Sequence, residues 1–341
     1  MDHRTLGRTG IRVSPLCLGT MMFGSWGNPD HDESVKIIHA ALDAGINFVD
    51  TADIYSWGES EEIVGKALAD GRRDDVVLAT KVHNQMGDDA NRQGNSRRWI
   101  TTAVEESLRR LGTDHIDLYQ IHRPDPTCDI TETLGVLSDL VHAGKVRAIG
   151  CSTFPAHQIV EAHWASERRN LEPFSCEQPP YSILARTIEA DVLPVARRYD
   201  MGVICWSPLS GGLLSGRYRK GTEPEPSHRD KLNQFRGIDP ESDEQRAKRR
   251  AAEDLGEVAD EFGVSMIDLA LGFVLDHPAV TSAIIGPRTM DQLNDQLSAL
   301  DVDLSDELLD RVDDIVAPGS NVNPADVGWD PPGLAKANRR R

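Results

Sequence analysis

Short apolar runs rich in β-branched residues alternate along this chain with longer segments whose apolar positions recur every three or four residues. The short runs predict buried β-strands, and the longer segments predict amphipathic helices. In Ser34–Ala44, for example, Ile38 and Leu42 fall on one helical face. The predicted strands are Leu16–Gly19, Asn47–Asp50, Val76–Lys81, Ile116–Ile121, Val146–Ser152, Ser175–Gln178, Val203–Trp206 and Ser282–Ile285. The predicted helices are Ser34–Ala44, a segment capped by Ser60 that runs to Leu68, Arg97–Leu111, Glu132–Ala143, Ala156–Ala165, Glu189–Tyr199, Asp243–Phe262, Met266–Asp276, Met290–Leu300 and Ser305–Ile315.

This strict alternation is typical of parallel strands joined by helical crossovers. A closed barrel and an open doubly wound sheet both have this order of elements. A doubly wound sheet that binds a dinucleotide normally carries a GxGxxG turn after its first strand. Here the first strand is followed by GTMMFG, starting at Gly19, which does not fit that motif. The pattern therefore favours an α/β fold, a (β/α)8 TIM barrel in a single domain.

The length of 341 residues suits one barrel with a few insertions. We predict that the barrel spans residues 1–316 and that a tail rich in Pro and Gly spans residues 317–341. The polar stretch Lys220–Arg250 follows the seventh strand and is expected to be a mobile insertion. The tail is expected to wander in solvent and to end in solvated arginines.

The composition limits the classes of partner. A formal net charge of −18 argues against nucleic acid and anionic membranes, because phosphate binding needs clustered Lys and Arg. No apolar run is long enough for a transmembrane helix, and the N-terminus lacks the apolar core of a signal peptide, so we expect a cytoplasmic protein. A phosphate-bearing cofactor would need a local exception to the acidic field. The sequence leaves open whether the protein is a monomer or a homo-oligomer.

The five cysteines lie far apart, without a CxxC pair. Cys151, Cys176 and Cys205 fall in predicted strands. This distribution favours buried, reduced thiols over disulfides or a metal site, and no metal is predicted.

Polar side chains stand where three successive predicted strands end. The second strand ends at Asp50, with Tyr55 just beyond it. The third strand ends at Lys81, and the fourth runs into His122. Each residue alone has an ordinary explanation, such as a helix cap or a solvated charge. Because barrel active sites lie at the carboxyl ends of the strands, the four residues together indicate a catalytic site.

These four side chains suit the reduction of a carbonyl group by hydride. The carbonyl oxygen gains negative charge and then needs a proton, which a free Tyr, with a pKa of about 10, donates poorly. Lys81 is expected to lower the pKa of Tyr55, and Asp50 to hold Lys81 in place. His122 is expected to donate a hydrogen bond to the carbonyl oxygen and orient it.

Seven ordered motifs resemble the aldo-keto reductases, together with the N-terminal RTLGRTGIRVSPLCLGTMMFG. They are VDTADIYSWGESEEIVGKAL, LATKV, HIDLYQIHRPD, AIGCSTF, EQPPYSIL, WSPLSGGLLSGRY and AIIGPRTMDQL. The similarity covers roughly Arg4 to Val316 and is greatest to the branch that holds bacterial reductases and potassium-channel β-subunits. It implies a catalytic tetrad of Asp50, Tyr55, Lys81 and His122. It also implies that Tyr55 is the general acid and that NADPH is the hydride donor.

The resemblance also implies the residues that bind the cofactor. Ser152, Thr153 and Gln178 are implied at the nicotinamide carboxamide, although Thr153 replaces the usual Asn and lacks the paired donor and acceptor of an amide. Trp206 is implied to stack on the nicotinamide ring, where many members have Tyr. The further implied contacts are Gly19, Thr20, Met21 and Asp50, with Ser207, Pro208, Leu209 and Gly211 in the pyrophosphate loop.

The adenosine end of the cofactor is implied after the last strand. Gly286 and Arg288 open a helix whose N-terminus favours phosphate. Arg288 carries a planar, charged fork suited to the 2′-phosphate of NADPH, which is the local positive exception to the acidic field. Gln292 and Asp295 match adenosine contacts of the family, and Gln296 stands in place of a common Asn.

The substrate pocket is expected to include Phe23, Trp26 and Trp57 beside Tyr55 and His122. Aromatic walls suit aryl or alkyl aldehydes and ketones, so a small carbonyl compound is the expected substrate. Two alternatives stay open. One is an NADPH-binding regulatory subunit with little turnover, and the other is a sugar or alcohol dehydrogenase that works in the oxidising direction. The intact tetrad favours the reductase over the regulatory subunit.

Overall fold

Eight parallel strands form a barrel, and helices pack around its outside. The computed structural model describes residues 1–218 and 239–339. A short antiparallel hairpin, β1 (Arg4–Thr5) and β2 (Arg12–Val13), comes first. The barrel strands are β3 (Leu16–Gly19), β4 (Phe48–Asp50), β5 (Val77–Val82), β6 (Ile116–Ile121), β7 (Val146–Ser152), β8 (Cys176–Gln178), β9 (Gly202–Cys205) and β10 (Ser282–Ile285). Strand β10 pairs with both β3 and β9 and closes the ring, which confirms the predicted (β/α)8 barrel.

Helices follow the strands around the ring. They are α1 (His31–Asp43), α2 (Glu59–Leu68), α3 (Arg97–Leu111), α4 (Ile130–His142), α5 (Ala156–Arg169), α6 (Val192–Arg198), α7 (Asp243–Phe262), α8 (Met266–Asp276), α9 (Met290–Leu297), α10 (Asp306–Ile315) and the short α11 (Lys336–Arg339). Several begin at a side-chain oxygen that accepts a backbone N–H, as Ser96 does for α3 and Ser242 for α7.

The hydrophobic pattern predicts several elements to the residue, including β3, β6, β7, β10, α3, α7 and α8. The N-terminal hairpin is not predicted, because strands of two residues are too short to show periodicity. Helix α6 begins at Val192 rather than Glu189, because a separate 3-10 turn, Thr187–Glu189, precedes it.

The predicted cap of α2 is wrong. Gly58 occupies the N-cap position with φ of 99°, and the helix begins at Glu59. The hydroxyl of Ser60 donates to the carbonyl of Thr20 at 2.8 Å and is fully buried. Ser60 therefore links α2 to the loop after β3. A cap would instead have accepted hydrogen bonds from the amides of the helix's own first turn.

The hairpin closes the amino-terminal end of the barrel. Its Leu6 and Val13 are fully buried with the inward-facing apolar residues of the strands, such as Phe48 and Leu118. A larger apolar cluster fills the space between strands and helices. Polar side chains gather at the opposite, carboxyl end of the barrel.

The segment after residue 316, expected to wander, is held on the barrel. The amide of Val322 donates to the carbonyl of Leu184 at 3.0 Å. Further along, Asp326 Oδ2 lies 2.6 Å from Nζ of Lys248, whose side chain is 9% exposed on α7. These contacts carry the tail across the carboxyl end of the barrel.

Part of the predicted insertion Lys220–Arg250 lies outside the described residues, as do Arg340 and Arg341. Its last part forms the first turns of α7. No helix in the described ranges is both long and apolar enough to cross a bilayer. The five cysteines are free thiols, and Cys128 is the half-buried one among them.

Candidate active site

Four polar side chains meet at the carboxyl end of the barrel. Asp50 ends β4, Lys81 lies near the end of β5, and His122 directly follows β6. The parallel register of these three strands sets their ends side by side. Tyr55 reaches the same place from the turn after β4. The structure therefore brings together Tyr55 and the three residues at predicted strand ends.

The ammonium group of Lys81 links Asp50 to Tyr55. Its Nζ lies 2.5 Å from Oδ2 of Asp50 and 3.1 Å from Oη of Tyr55, and it also donates to the carbonyl of Thr51 at 2.8 Å. Lys81 is fully buried and Asp50 is 2% exposed, so the ion pair is shielded from water. A charge held in this way acts strongly on a neighbouring hydroxyl.

Burial reverses one expectation about Tyr55. The sequence predicts that Lys81 lowers the pKa of Tyr55, but burial raises that pKa by more than the ammonium lowers it. For Lys81, burial lowers the pKa, but Asp50 and Tyr55 more than offset it, and the pKa is raised. At neutral pH Tyr55 therefore keeps its proton and Lys81 keeps its charge.

His122 is neutral at physiological pH. Burial, helped by the positive charges of Lys81 and Arg123, holds its pKa well below the usual range. Its Nδ1 lies 3.1 Å from the amide Nδ2 of Asn84, and an amide nitrogen can only donate. Nδ1 therefore accepts, and the ring proton sits on Nε2, where it is available to an oxygen acceptor. Sequence reasoning missed Asn84, which lies two residues beyond β5.

The turn that carries Tyr55 is strained. Ser56 and Trp57 have φ of 48° and 60°, and Gly58 follows with φ of 99°. Non-glycine residues rarely adopt this left-handed conformation, and such strain is concentrated at functional sites. The Ser56 hydroxyl stabilises the turn by donating to the carbonyl of Phe23 at 3.2 Å and accepting from the amide of Trp26 at 3.1 Å.

Two glutamine amides hold the other carboxylate oxygen of Asp50. Gln178 Nε2 donates to Oδ1 at 2.9 Å, and Gln120 Nε2 donates to the same atom at 3.1 Å. Gln178 Nε2 also donates to Oε1 of Gln120 at 3.1 Å. This network joins the residues at the strand ends to the implied carboxamide site. Gln120 was missed, although a polar residue inside an apolar strand is a signal for such a role.

The implied nicotinamide site lies between β7 and β9. The hydroxyl of Ser152 donates to the carbonyl of Gln178 at 2.8 Å. Thr153 has φ of 62°, and its hydroxyl accepts from Nη1 of Arg123 at 3.1 Å. The guanidinium of Arg123 lies 5.9 Å from the ring centre of the half-buried Trp206. The structure thus groups these residues around the half-buried indole of Trp206.

The tail packs against this same group. Gly328 approaches Trp206 and Thr153 so closely that a Cβ on it would lie 2.8 Å and 2.9 Å from their side chains. Its φ of 79° also favours glycine. The tail therefore forms part of the rim around Trp206.

The loop after β9 has the backbone shape of an anion site. Ser207, Ser210, Gly211 and Gly212 all have positive φ, whereas Leu209 has φ of −88°. A change from right-handed to left-handed backbone aligns successive N–H groups toward one point. Buried Pro208 lies within this loop. The amides of Ser210 and Gly212 already donate to the carbonyls of Ser207 and Leu209, at 2.8 Å and 2.9 Å, so a pyrophosphate group would bind in this nest to the amides of Leu209 and Gly211.

The adenosine-side residues lie where β10 gives way to α9. Oε1 of Gln292 accepts from the amide of Arg288 at 2.9 Å, which fixes the turn before the helix. Gln296 is 6% exposed, and its Oε1 has no hydrogen-bond partner among the described residues. Asp295 is exposed, and so is Gly286.

The first loop contributes both core and mouth residues. Thr20 is fully buried and its amide donates to the carbonyl of Asp50 at 2.9 Å, whereas Met21 is half-buried. Phe23 is fully buried in the apolar core, so it does not line the mouth, contrary to expectation.

Two tryptophans form the mouth beside Tyr55. The ring of Trp26 lies 6.2 Å from that of Trp57, edge to face, and 6.3 Å from that of Tyr55. Trp57 is 63% exposed. The centre of the Tyr55 ring lies 5.8 Å from that of the His122 ring. The predicted mouth is therefore aromatic, with Tyr55 and His122 beside the two tryptophans.

These residues fit a phosphorylated dinucleotide. The nest after β9 suits a pyrophosphate, Trp206 offers a flat indole face, and the guanidinium of Arg288 suits a further phosphate. The unpartnered acceptor on Gln296 suits an amino donor such as that of adenine, because a buried acceptor gains from a partner.

Comparison with known proteins finds relatives over nearly the whole chain. A family model described as "Aldo/keto reductase family" matches residues 15–317. The chain is 39% identical over 339 residues to an uncharacterized oxidoreductase of Bacillus subtilis, YrpG, with 96% of this chain and 100% of that protein covered.

Two further relatives differ in their described roles. Aldo-keto reductase YhdN of Bacillus subtilis is 40% identical over 304 residues, which cover 86% of this chain and 87% of that protein. A probable voltage-gated potassium channel subunit beta of Oryza sativa subsp. japonica is 35% identical over 329 residues, which cover 93% and 97%. The similarity therefore extends over the whole barrel.

Proposed function

Since this chain belongs to the aldo/keto reductase family, we propose that it is an oxidoreductase that reduces the carbonyl group of small aldehydes or ketones with NADPH. The observation that carries the proposal is the buried link from Asp50 through Lys81 to the hydroxyl of Tyr55. The Tyr55 ring lies beside Trp26, which packs against Trp57, and such aromatic walls suit a small organic molecule.

Each side chain has a part in the proposed reaction. Bound NADPH supplies the hydride that the carbonyl carbon receives. The Nε2–H of His122 donates to the carbonyl oxygen, orients it and stabilises the negative charge that develops there. Tyr55 then gives its proton to that oxygen, and the ammonium of Lys81 stabilises the phenolate that remains. Asp50 keeps Lys81 charged and in place. The same groups run in reverse when an alcohol is oxidised.

A raised pKa suits Tyr55 to this role. A general acid must hold its proton until the oxygen becomes basic, and burial ensures that Tyr55 does so at neutral pH. Lys81 acts when the proton leaves, because its charge then faces a phenolate 3.1 Å away.

Arg288 is proposed to select NADPH over NADH. Replacing Arg288 with alanine should raise the Kd for NADPH about tenfold or more and leave that for NADH within about twofold, since only NADPH carries the 2′-phosphate. Tryptophan fluorescence titrations with both nucleotides measure this. Arg97→Ala removes a half-exposed arginine of α3 and serves as the control, with no change for either nucleotide. Equal weakening of NADPH and NADH by Arg288→Ala would place the 2′-phosphate elsewhere.

The proposed activity is tested on the purified protein in two steps. Titration with NADPH should quench tryptophan fluorescence, because Trp206 is proposed to stack on the nicotinamide. Loss of absorbance at 340 nm should then follow the addition of aromatic or aliphatic aldehydes. If neither NADPH nor NADH binds, the cofactor proposal fails.

A regulatory subunit is the second candidate, favoured by the 35% identity to a protein described as a potassium channel subunit beta. It shares NADPH binding with the reductase, so binding alone does not separate the two. Tight NADPH binding without turnover of any carbonyl in the panel would favour the regulatory subunit.

A further inference from the structure

A buried acid lies beneath the turn that carries Ser152 and Thr153. Glu177, the central residue of β8, is fully buried. Its Oε1 accepts from the backbone amide of Phe154 at 3.1 Å, and its Oε2 lies 2.9 Å from Sγ of Cys151 on the neighbouring strand. None of the proposed catalytic steps uses this carboxyl group.

The turn above Glu177 needs such support. Thr153 has φ of 62°, a conformation that is unfavourable for a β-branched residue. Helix α5 begins just after it at Ala156, and its N-cap residue, Pro155, provides no side-chain cap. The Glu177 carboxyl, reaching in from β8, instead holds the turn just before the helix by accepting the Phe154 amide. Losing this acceptor would leave a buried N–H unpaired.

From this geometry we infer that Glu177 is a positioning residue with two effects on cofactor binding. Its carboxyl group holds the Ser152–Thr153 turn in the left-handed conformation that the nicotinamide end of the cofactor uses, and its ionisation favours oxidised over reduced cofactor. The inference rests on the proposed function, because it places the nicotinamide beside this turn.

The ionisation of Glu177 falls within an accessible pH range. Burial raises its pKa from 4.5 to about 8, although the Cys151 thiol, the amides of Phe154 and Thr153, and the charge of Arg123 all act in the opposite direction. Two other titratable groups interact electrostatically with it, the thiols of Cys176 and Cys205. Both have raised pKa values, so they stay neutral when Glu177 ionises. The carboxyl is therefore mostly neutral at pH 7 and charged above about pH 8.

The charge on Glu177 would distinguish the two cofactor forms. Oxidised nicotinamide carries a positive charge on its ring, and reduced nicotinamide does not. A new negative charge beneath the turn that is proposed to bind the nicotinamide therefore stabilises bound NADP+ more than bound NADPH. The 2′-phosphate and pyrophosphate are common to both forms, so their own titration cancels in the ratio of the two dissociation constants.

The test compares NADP+ and NADPH binding by tryptophan fluorescence from pH 6.5 to 10. In the wild-type protein, the ratio of Kd for NADP+ to Kd for NADPH should fall roughly threefold to tenfold, with a midpoint near pH 8. Glu177→Gln keeps an acceptor for Phe154 but cannot ionise. This variant should bind NADPH within about twofold of the wild type at pH 6.5 and show no midpoint.

Two cysteine variants form a matched pair. The Cys151 thiol lowers the pKa of Glu177, so Cys151→Ala should move the midpoint to higher pH. Cys205→Ala likewise removes a buried sulfur atom, but the Cys205 thiol makes no hydrogen bond to Glu177 in the described structure. This variant should therefore leave the midpoint in place. A further variant, Glu177→Leu, removes the acceptor for the Phe154 amide and should weaken the binding of both NADP+ and NADPH at every pH.

Several outcomes would overturn the inference. A wild-type ratio that stays flat, or a midpoint that persists in Glu177→Gln, would rule out Glu177 as the titrating group. A Glu177→Leu variant that binds as tightly as Glu177→Gln at pH 6.5 would show that the carboxyl does not hold the turn. Equal midpoint shifts in Cys151→Ala and Cys205→Ala would contradict the assigned contact.

Thermal unfolding separates failure of this inference from failure of the proposed function. The raised pKa of Glu177 contributes to the free energy of unfolding. This contribution is fully present below about pH 4.5, the ordinary pKa of the group, and is lost as pH rises through about 8. The Tm of the wild type should therefore fall relative to that of Glu177→Gln over this range, whether or not nucleotide binds. If no variant binds nucleotide but this Tm difference appears, the cofactor proposal fails while the buried titration stands. A constant Tm difference would refute the titration independently.

Discussion

Phenylalanine at position 55 should lower kcat by about 10²–10⁴-fold while leaving the Kd for NADPH within about twofold of the wild-type value. The substitution removes only the hydroxyl, which lies 3.1 Å from the Lys81 ammonium. Without it, the carbonyl oxygen loses its proposed proton donor at the moment it becomes basic. The ring itself remains to pack against His122 and Trp26. Stopped-flow measurement of a single turnover at 340 nm would report the chemical step directly.

Tyr119→Phe is a matched control for this substitution. Tyr119 is also fully buried, and its hydroxyl has no hydrogen-bond partner among the described residues. It belongs to the apolar cluster between strands and helices and lies outside the site. Its loss should change kcat by less than about twofold. A Tyr55→Phe enzyme with the wild-type rate would show that another group supplies the proton.

Replacing Lys81 with methionine should reduce both activity and stability. The variant leaves Asp50 buried without its ion-pair partner, and breaking a buried pair costs about 3–5 kcal/mol. It also removes the charge that stabilises the Tyr55 phenolate, so kcat should fall by about 10²-fold or more. Urea unfolding followed by circular dichroism gives the free energy of unfolding, and turnover at saturating substrate gives kcat.

The double variant Asp50→Asn/Lys81→Met separates the two effects. Asparagine removes the unpaired charge. Its side-chain carbonyl can still accept from Gln120 and Gln178, both of which donate to the Asp50 carboxylate in the wild-type protein. The double variant should therefore regain most of the lost stability but none of the lost activity. Recovery of activity together with stability would mean that Lys81 serves the fold alone.

The fold and the three strand-end residues could be predicted because both depend on local patterns. A run such as Ile116–Ile121 is mainly apolar and is bounded by His115 and His122, so its ends can be recognised. In a parallel barrel, the position of His122 after that run then fixes the end of the barrel at which it lies.

Features that depend on burial or on distant contacts could not be predicted in this way. The pKa of Tyr55 is raised because desolvation outweighs Lys81, and no pattern gives the relative size of those two effects. Phe23 lies next to the site in sequence but packs into the core. Asn84 and Glu177 act through contacts with residues far away in the chain. A glutamate inside a predicted buried strand is nevertheless a sequence signal for such a role.

The hairpin that closes the amino-terminal end of the barrel separates core packing from substrate recognition. Evolution could then alter the two independently. Leu6 and Val13 join the inward-facing apolar residues of the strands, so the lower half of the barrel is a continuous core that does not face the aromatic mouth. Substitutions in the loops at the carboxyl end can change which molecules enter without loosening that core. Lineages that diverge in substrate can therefore keep the same scaffold, and loop exchange between relatives is a practical route to new specificities.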